Sequence, residues 1–139
     1  MFDPFRASLR IASAGLEAQS TRLKIISENV ANAQSTGSTA GADPYRRKTV
    51  TFANEFDRSA GLMTIKARDP QFDDRAFRIE LDPGNPAADE KGYVKTPNVD
   101  LLYELADLRE ANRSYEANLQ VAKQSGELLS MTISLLKDA

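Results

Sequence analysis

The sequence predicts a mainly α fold, in which long N- and C-terminal helices pair as a coiled coil and enclose a small β-hairpin and loop region between them. Apolar residues recur in steps of three and four near both ends of the chain. Five of the six prolines lie between these two ends. We therefore expect a coiled-coil helix within residues 1–37, an extended or hairpin linker at 38–97 and a second coiled-coil helix within 98–139, with the two helices together forming one inner domain.

The first helix is predicted over residues 4–35. Asp3 suits an N-cap and Pro4 the first helical position, and Gly37 follows a plausible end. A repeat of 3.5 residues is typical of a coiled-coil seam, which is narrower than the face that a helix shows to a globular core. Only Gln19 interrupts the apolar pattern. The predicted seam of this helix consists of Phe2, Phe5, Leu9, Ala12, Leu16, Gln19, Leu23, Ile26, Val30 and Ala33.

The second helix is predicted over about residues 98–137, and Thr96–Asn98 supplies candidate caps. At 1.5 Å per residue it is roughly 60 Å long, which is too long for a small globule. Asn112 in the seam can fix register at a cost in stability, and Gly126 costs up to about 1 kcal/mol against alanine. The predicted seam consists of Leu101, Leu105, Leu108, Asn112, Tyr115, Leu119, Ala122, Gly126, Leu129, Ile133 and Leu136.

The region between the helices is predicted to hold three short strands, because apolar and polar residues alternate there. We expect these strands at residues 48–52, 62–66 and 77–81. Turn-forming residues crowd positions 82–86, and a loop is expected at 86–92. This region is expected to form an extended hairpin or loop that lies against the helices.

Composition excludes most catalytic and membrane-spanning classes. The 139 residues include no Cys and no His, so thiol nucleophiles, disulfides, Cys-ligated zinc and the commonest general base are excluded. A net charge of −2 gives no field that attracts nucleic acid. No apolar run approaches the roughly 18 residues of a membrane span, and the first residues do not resemble a Sec signal. We expect no cofactor, no metal, no nucleic-acid partner and no membrane span.

Two narrow apolar seams at opposite ends of the chain indicate assembly with other subunits. A hairpin of two helices leaves much apolar surface in water, and burial stabilises by only about 25 cal/mol per Å². So small a core does not offset the ordering entropy of so long a chain. We expect the isolated chain to be poorly ordered at both ends and to gain helix when neighbouring copies supply the missing surface.

Several local sequences resemble the signatures of the bacterial flagellar rod and hook proteins. In the first third of the chain, these are Gln19–Leu23, Ser27–Gly37 and Pro44–Lys48. The later motifs resemble those of a proximal rod protein and are found at Asp82–Pro86, Ala88–Asp89, Gly92–Lys95, Pro97–Asp100 and Arg113–Asn118. Because the motifs occur in the order of the family, the resemblance is specific, and it covers nearly the whole chain apart from about residues 54–78.

This resemblance implies a structural subunit of the axial rod, which crosses the periplasm of the flagellar basal body and transmits motor torque to the hook and filament. It implies no catalytic residues, an inner coiled-coil layer built from the terminal helices, and export through the flagellar type III apparatus rather than by a Sec signal. The partners that it implies are further copies of the chain, the rod proteins FlgB, FlgF and FlgG, the export-gate adaptor FliE and the surrounding membrane ring.

The motif residues have both local and inter-subunit interpretations. Asn29 and Asn32 either form hydrogen bonds between subunits or end the first helix, which Gly37 also suits. The run Tyr45–Arg47 either anchors the segment after the helix onto a neighbouring subunit or forms a solvated turn. Asn118 either bonds across helices or is exposed. The motif residues expected at subunit contacts are Asn29, Asn32, Gly37, Tyr45, Arg46, Arg47, Asn98, Arg113 and Asn118.

Other classes of function fit parts of the sequence. Glu104, Asp107 and Glu110 form a group of carboxylates, but no element encloses them, and a charge run on a helix is usually its solvated face. A soluble coiled-coil adaptor or export chaperone would share the seams without needing the ordered motifs. A FlgB-like rod subunit is the nearest alternative within the family, and the segment 82–100 argues against it.

Overall fold

The computed structural model describes residues 3–139, where two long helices are joined by three antiparallel pairs of short strands. Helix α1 spans Pro4–Ala31 and helix α2 spans Leu101–Lys137. The strands between them are β1 Lys48–Thr49, β2 Phe52–Asp57, β3 Leu62–Ala67, β4 Gln71–Phe72, β5 Arg78–Leu81 and β6 Tyr93–Thr96. The prediction of two long terminal helices with a small β region between them is confirmed.

Helix α1 begins where the capping pattern places it. The carboxylate of Asp3 accepts hydrogen bonds from the backbone N–H groups of Phe5 at 2.9 Å and Arg6 at 3.3 Å, which the helix itself leaves unpaired. The helix ends at Ala31 rather than at residue 35, because the side-chain amide of Asn32 donates to the carbonyl of Glu28 at 2.9 Å and the chain then turns. The seam residue Phe2 lies outside the described residues.

Helix α2 begins three residues later than expected. Asp100 is its N-cap, since the carboxylate accepts a hydrogen bond from the backbone N–H of Leu102 at 3.0 Å. The residues Pro97–Val99 are buried in an extended segment before the helix. The 37 residues of α2 span about 55 Å. Within residues 3–139, neither helix is long and apolar enough to cross a bilayer.

The chain folds into two units, each of which draws on separate stretches of sequence. Unit 1 comprises the chain up to Leu23, together with Thr51–Arg68 and Glu110–Ala139. Unit 2 comprises Lys24–Val50 and Asp69–Arg109. Each helix therefore contributes residues to both units.

In unit 1, β2 and β3 form a regular hairpin that is tied to α1. Their register runs from Phe52 opposite Ala67 to Asp57 opposite Leu62. Gly61 adopts a φ of 67° in the turn, a value that favours glycine. The carboxylate of Asp57 caps this turn and also binds the guanidinium of Arg10 on α1 at 2.7 Å. The hairpin is thus fixed at its turn as well as along its strands.

Unit 2 contains two separate strand pairs, β1 with β4 and β5 with β6. The expected strand at 48–52 is interrupted, because β1 ends at Thr49 and Phe52 already belongs to the hairpin of unit 1. Strand β6 follows the predicted loop and was not expected, since its four residues are too few to show a clear alternation. The hairpin or loop region expected between the helices therefore consists of three short antiparallel pairs.

Candidate functional site: a buried polar joint and exposed apolar faces

Asn29 connects α1 to the segment that follows it in unit 2. Its side chain is almost completely buried, and its amide nitrogen donates to the carbonyl of Lys48 at 2.8 Å and to the carboxylate of Glu104 at 3.2 Å. Its amide oxygen accepts hydrogen bonds from the Tyr45 hydroxyl at 2.8 Å and the backbone N–H of Lys48 at 2.9 Å. All four hydrogen-bonding positions of the amide are used within the chain. Asn29 therefore joins α1 to Tyr45, Lys48 and Glu104 and does not end the helix.

Glu104 occupies the first turn of α2 and has no exposed surface. Its carboxylate accepts hydrogen bonds from Nε of Arg47 and from Asn29. Arg47 reaches a second carboxylate, since its NH1 lies 3.2 Å from Oδ2 of Asp73. The expectation that Glu104 lies on a solvated face is wrong. A buried carboxylate needs a positive charge beside it, and here Arg47 supplies that charge. Because Arg47 is distant from Glu104 in sequence, the spacing of residues along the helix does not indicate the pair.

Asn98 completes this network. Its amide oxygen accepts from the backbone N–H of Arg47 at 2.8 Å, and its nitrogen donates to the carbonyls of Asp73 at 3.1 Å and Arg75 at 3.0 Å. The guanidinium of Arg75 binds the Asp73 carboxylate at 2.7 Å. We call this network the polar joint, and its members are Asn29, Tyr45, Arg47, Asp73, Asn98 and Glu104.

The pKa values of the polar joint reflect its ion pairs. The hydrogen bond from Arg75 holds the pKa of Asp73 well below its usual range, and the hydrogen bond from Arg47 acts in the same direction. Burial lowers the pKa of Arg47, but its hydrogen bond and charge interaction with Glu104 more than offset this, so its pKa is raised. Burial also raises the pKa of the Tyr45 hydroxyl. Tyr45 therefore remains a hydrogen-bond donor at neutral pH, and the Arg47–Asp73 pair stays charged.

Three other motif residues have local roles. Arg46 stacks 4.2 Å from the ring centre of Phe77 and donates to the carbonyl of Asp73 at 2.9 Å, so it is not part of a solvated turn. Asn32 bonds to the end of α1, as the helix-ending interpretation expects. Gly37 does not cap the helix, because its φ is not positive; a Cβ there would lie 2.6 Å from that of Ala42.

The helix faces that are buried within the chain include only part of the predicted seams. Ile26 is buried, whereas Leu9, Leu16, Leu23, Val30, Leu108, Tyr115, Leu119 and Leu129 are half-buried. Leu101, Leu105, Ile133 and Leu136 are exposed. In several layers the buried residue lies one position before the expected one, and these residues are Gly15, Ala18 and Asn29 on α1 and Glu104, Ala111 and Ser125 on α2. The seam pattern favours leucines, but the chain buries small and polar residues at these layers.

Gly15 explains why a small residue is needed in unit 1. A Cβ at this position would lie 2.5 Å from the amide oxygen of Asn118 on α2, so the two helices meet here at close range. The amide of Asn118 also donates to the carbonyl of Ser114 at 2.9 Å. Nearby, the guanidinium of Arg22 lies 3.6 Å from the carboxylate of Glu110. Arg113, by contrast, is exposed.

Known protein families match both ends of the chain, and individual relatives align with nearly all of it. The flagella basal body rod protein family matches residues 9–37, and the flagellar basal body rod FlgEFG protein C-terminal family matches residues 90–135. Over 135 residues the chain is 59% identical to the flagellar basal-body rod protein FlgC of Agrobacterium fabrum, which covers 97% of each chain. The chain belongs to the FlgC family of flagellar basal-body rod proteins.

More distant members of the FlgC family match over a similar length. The flagellar basal-body rod protein FlgC of Escherichia coli O6:H1 is 38% identical, with 90% of this chain and 92% of the relative covered. That of Bacillus subtilis is 30% identical, with 94% and 97% covered. Membership of the FlgC family makes this protein a structural subunit of the flagellar basal body and not an enzyme. The resemblance to rod proteins is confirmed, and the adaptor and FlgB-like alternatives do not account for these matches.

This FlgC-family chain exposes large apolar side chains at both ends of α2. Near the start of the helix, Leu102 is 79% exposed and Tyr103 is 70% exposed. Near the end of the helix, Ser130, Ser134 and Lys137 share one face, and most of the remaining surface is apolar. The exposed large apolar residues there are Leu128, Met131, Ile133, Leu135 and Leu136. A large exposed apolar patch typically marks an interaction surface. Nothing within residues 3–139 covers these side chains.

Gly15 and Asp73 were not identified from the sequence, and Glu104 was assigned to a solvated face. Gly15 carries a signal, because a glycine inside a helix costs about 1 kcal/mol and indicates a close approach. Glu104 stands among leucines and an alanine, which could have suggested a buried charge. Asp73 carries no signal, since it lies in the segment without a recognisable motif and its carboxylate forms ion pairs with arginines distant on the chain or in that same segment, Arg47 and Arg75.

Proposed function

We propose that this protein polymerises through its terminal helices into the proximal part of the flagellar rod and transmits motor torque across the periplasm. The exposed apolar side chains of α2 are the observation that supports this most directly, because a large exposed apolar patch typically marks a surface that a partner covers. The buried apolar residues of the described chain are few and mostly small, as expected of a subunit whose core is completed by others.

In the assembled rod, α1 and α2 pair as a coiled coil whose core is completed between subunits. The predicted seam residues serve this purpose, since most of them are only half-buried or exposed within one chain. On α1 they are Leu9, Leu16, Leu23, Ile26 and Val30. On α2 they are Leu101, Leu105, Leu108, Tyr115, Leu119, Leu129, Ile133 and Leu136. Knobs-into-holes packing of such residues gives an interface that resists shear along the helix axis.

The polar joint contributes stiffness to this assembly. Torque transmission requires that the helices and the segments between them move as one body. Four segments of unit 2 meet in the joint through charged and fully satisfied hydrogen bonds, which are stronger and more directional than apolar contacts. The joint therefore holds Tyr45–Arg47 at a fixed position between α1 and α2.

We infer the partners and the export route from the family. The chain contacts further copies of itself and the rod proteins FlgB, FlgF and FlgG, with FliE and the membrane ring at the base of the rod. It reaches the periplasm through the flagellar type III export apparatus. The terminal segments that match the two rod families supply the common helical layer through which such subunits stack.

The test is complementation of a strain that lacks its own copy of the gene. We expect the tagged protein to restore swimming and to be present in detergent-purified basal bodies. Removal of residues 1–40 should abolish both export and swimming. A protein that remains in the cytoplasm as a small closed oligomer, in cells that swim, would contradict the proposed function.

A further inference from the structure

Unit 2 carries an open groove with a cavity of about 500 Å³ between the β5–β6 pair and the start of α2. Its lining is mostly polar, and Leu101, which is 42% exposed, is the large apolar side chain that it presents to solvent. Three carboxylates line it, and they belong to Glu80, Asp82 and Asp100. We call these four residues the acidic groove. An exposed leucine beside three carboxylates is suited to an apolar side chain that carries a cation beside it.

The charge of the acidic groove is not balanced locally. Arg78 is the one basic residue that lines the cavity among the described residues, and its guanidinium donates to the carbonyl of Val99. Asp100 caps α2, and Asp82 accepts a hydrogen bond from the amide of Asn85 at 3.3 Å. Glu80 forms no side-chain hydrogen bond or ion pair within residues 3–139. The groove therefore presents a free carboxylate.

The tip of the β2–β3 hairpin in unit 1 has the complementary chemistry. Phe56 and Met63 stand directly opposite each other, and each is more than half exposed. Arg58 follows in the turn, exposed and without a side-chain partner in the part of the chain that the structure describes. The neighbouring charge of Asp57 is neutralised by Arg10 at 2.7 Å. Methionine, phenylalanine and arginine are the residue types enriched at the centres of protein interfaces.

We propose that the hairpin tip of one copy, formed by Phe56, Arg58 and Met63, docks into the acidic groove of a neighbouring copy. The guanidinium of Arg58 pairs with Glu80, and the two apolar side chains pack against Leu101. This rests on the proposed function and names the surfaces through which copies meet. Because tip and groove are different surfaces, the contact is heterologous and does not close on itself, as a helical rod requires. The capped turn is preorganised, which reduces the entropy lost on docking.

Cysteine cross-linking between copies tests the contact, since the chain has no native cysteine. Arg58→Cys and Glu80→Cys are carried by separate copies of the gene in one strain that lacks the chromosomal copy. In purified basal bodies, mild oxidation should give a dimer in which mass spectrometry identifies the 58–80 linkage. The control pair is Arg68→Cys with Glu80→Cys, because residue 68 lies at the far end of the hairpin, and it should give no such dimer.

A charge exchange gives a second readout that does not depend on thiol geometry. Arg58→Glu and Glu80→Lys should each cause loss of swimming, and the double variant should restore it. Arg68→Glu, a matched reversal on the same hairpin, should swim normally. Swimming with either single reversal, failure of the double variant, or basal bodies that hold both cysteine variants without the 58–80 dimer would overturn the docking contact. Absence of the wild-type protein from the rod would instead overturn the proposed function.

Discussion

Among single residues, Glu104 has the largest expected influence on stability. We expect Glu104→Gln to lower the free energy of unfolding by about 3 kcal/mol, because the guanidinium of Arg47 would lose its buried counterion. The measurement is urea unfolding followed by circular dichroism. Glu110→Gln is the matched control, since its side chain is 68% exposed and its pair with Arg22 is expected to contribute less than about 1 kcal/mol. Equal effects of the two substitutions would contradict a buried polar joint.

Asp73 is expected to make stability depend on pH. Its pKa in the folded chain lies below the value of 3.8 that is usual for an aspartate, so its contribution to stability is present above that pH and is lost as the pH falls. We expect Asp73→Asn to lower the free energy of unfolding at pH 7 and to flatten its decline in acid. Asp74→Asn, at the exposed neighbour, should change neither. A wild-type and an Asp73→Asn protein with the same acid profile would refute this role.

Two glycines in helices are expected to respond oppositely to alanine. Gly126 has no atom within 4 Å of a Cβ position in the described chain, so Gly126→Ala should raise the free energy of unfolding by up to about 1 kcal/mol. Gly15→Ala should lower it, because the amide of Asn118 must move away. Chemical denaturation of both variants distinguishes them. Adding Asn118→Ala should rescue Gly15→Ala, and non-additivity of the pair would measure the contact.

At the level of helices and strands, the capping residues predicted the structure more accurately than the apolar seams did. Asp3 and Pro4 gave the start of α1 correctly, because a cap acts on its own nearest neighbours. The seams gave the existence of both helices, but within residues 3–139 only Ala12 and Ile26 of the predicted seam residues are buried. A repeat of 3.5 residues selects large apolar side chains. Gly15 and Ala111 are small, so the repeat does not select them, although both are buried. The polar joint was not predicted, since its pairs link residues up to 75 positions apart.

Helix α2 should tolerate loss of a side chain better than loss of its backbone hydrogen bonds. Leu105→Pro is expected to abolish swimming, because proline in a helix interior costs roughly 3 kcal/mol and bends the axis. Leu105 is 52% exposed, so Leu105→Ala should leave the folded chain nearly as stable while it weakens assembly. Circular dichroism and swimming assays together separate the two effects. Normal swimming with Leu105→Pro would show that an unbroken α2 is not needed to transmit torque.

For the protein as a whole, the small buried core and the exposed apolar residues indicate that the subunit is completed by its neighbours. The residues that the chain buries by itself are largely alanines, valines and the polar joint. The exposed leucines of α2 remain available to pack against neighbouring subunits. The sequence leads to the same expectation, because its two apolar seams lie at opposite ends of the chain.

A cryo-EM map of basal bodies purified from a complemented strain would show whether neighbouring subunits complete the core. We expect density for α1 and α2 in the wall of the proximal rod, with Leu101, Leu105, Ile133 and Leu136 packed against neighbouring subunits. The same map should show the polar joint intact within each subunit. Apolar residues of α2 that face solvent in the assembled rod, or a rod without this protein, would contradict a subunit whose core is completed by assembly.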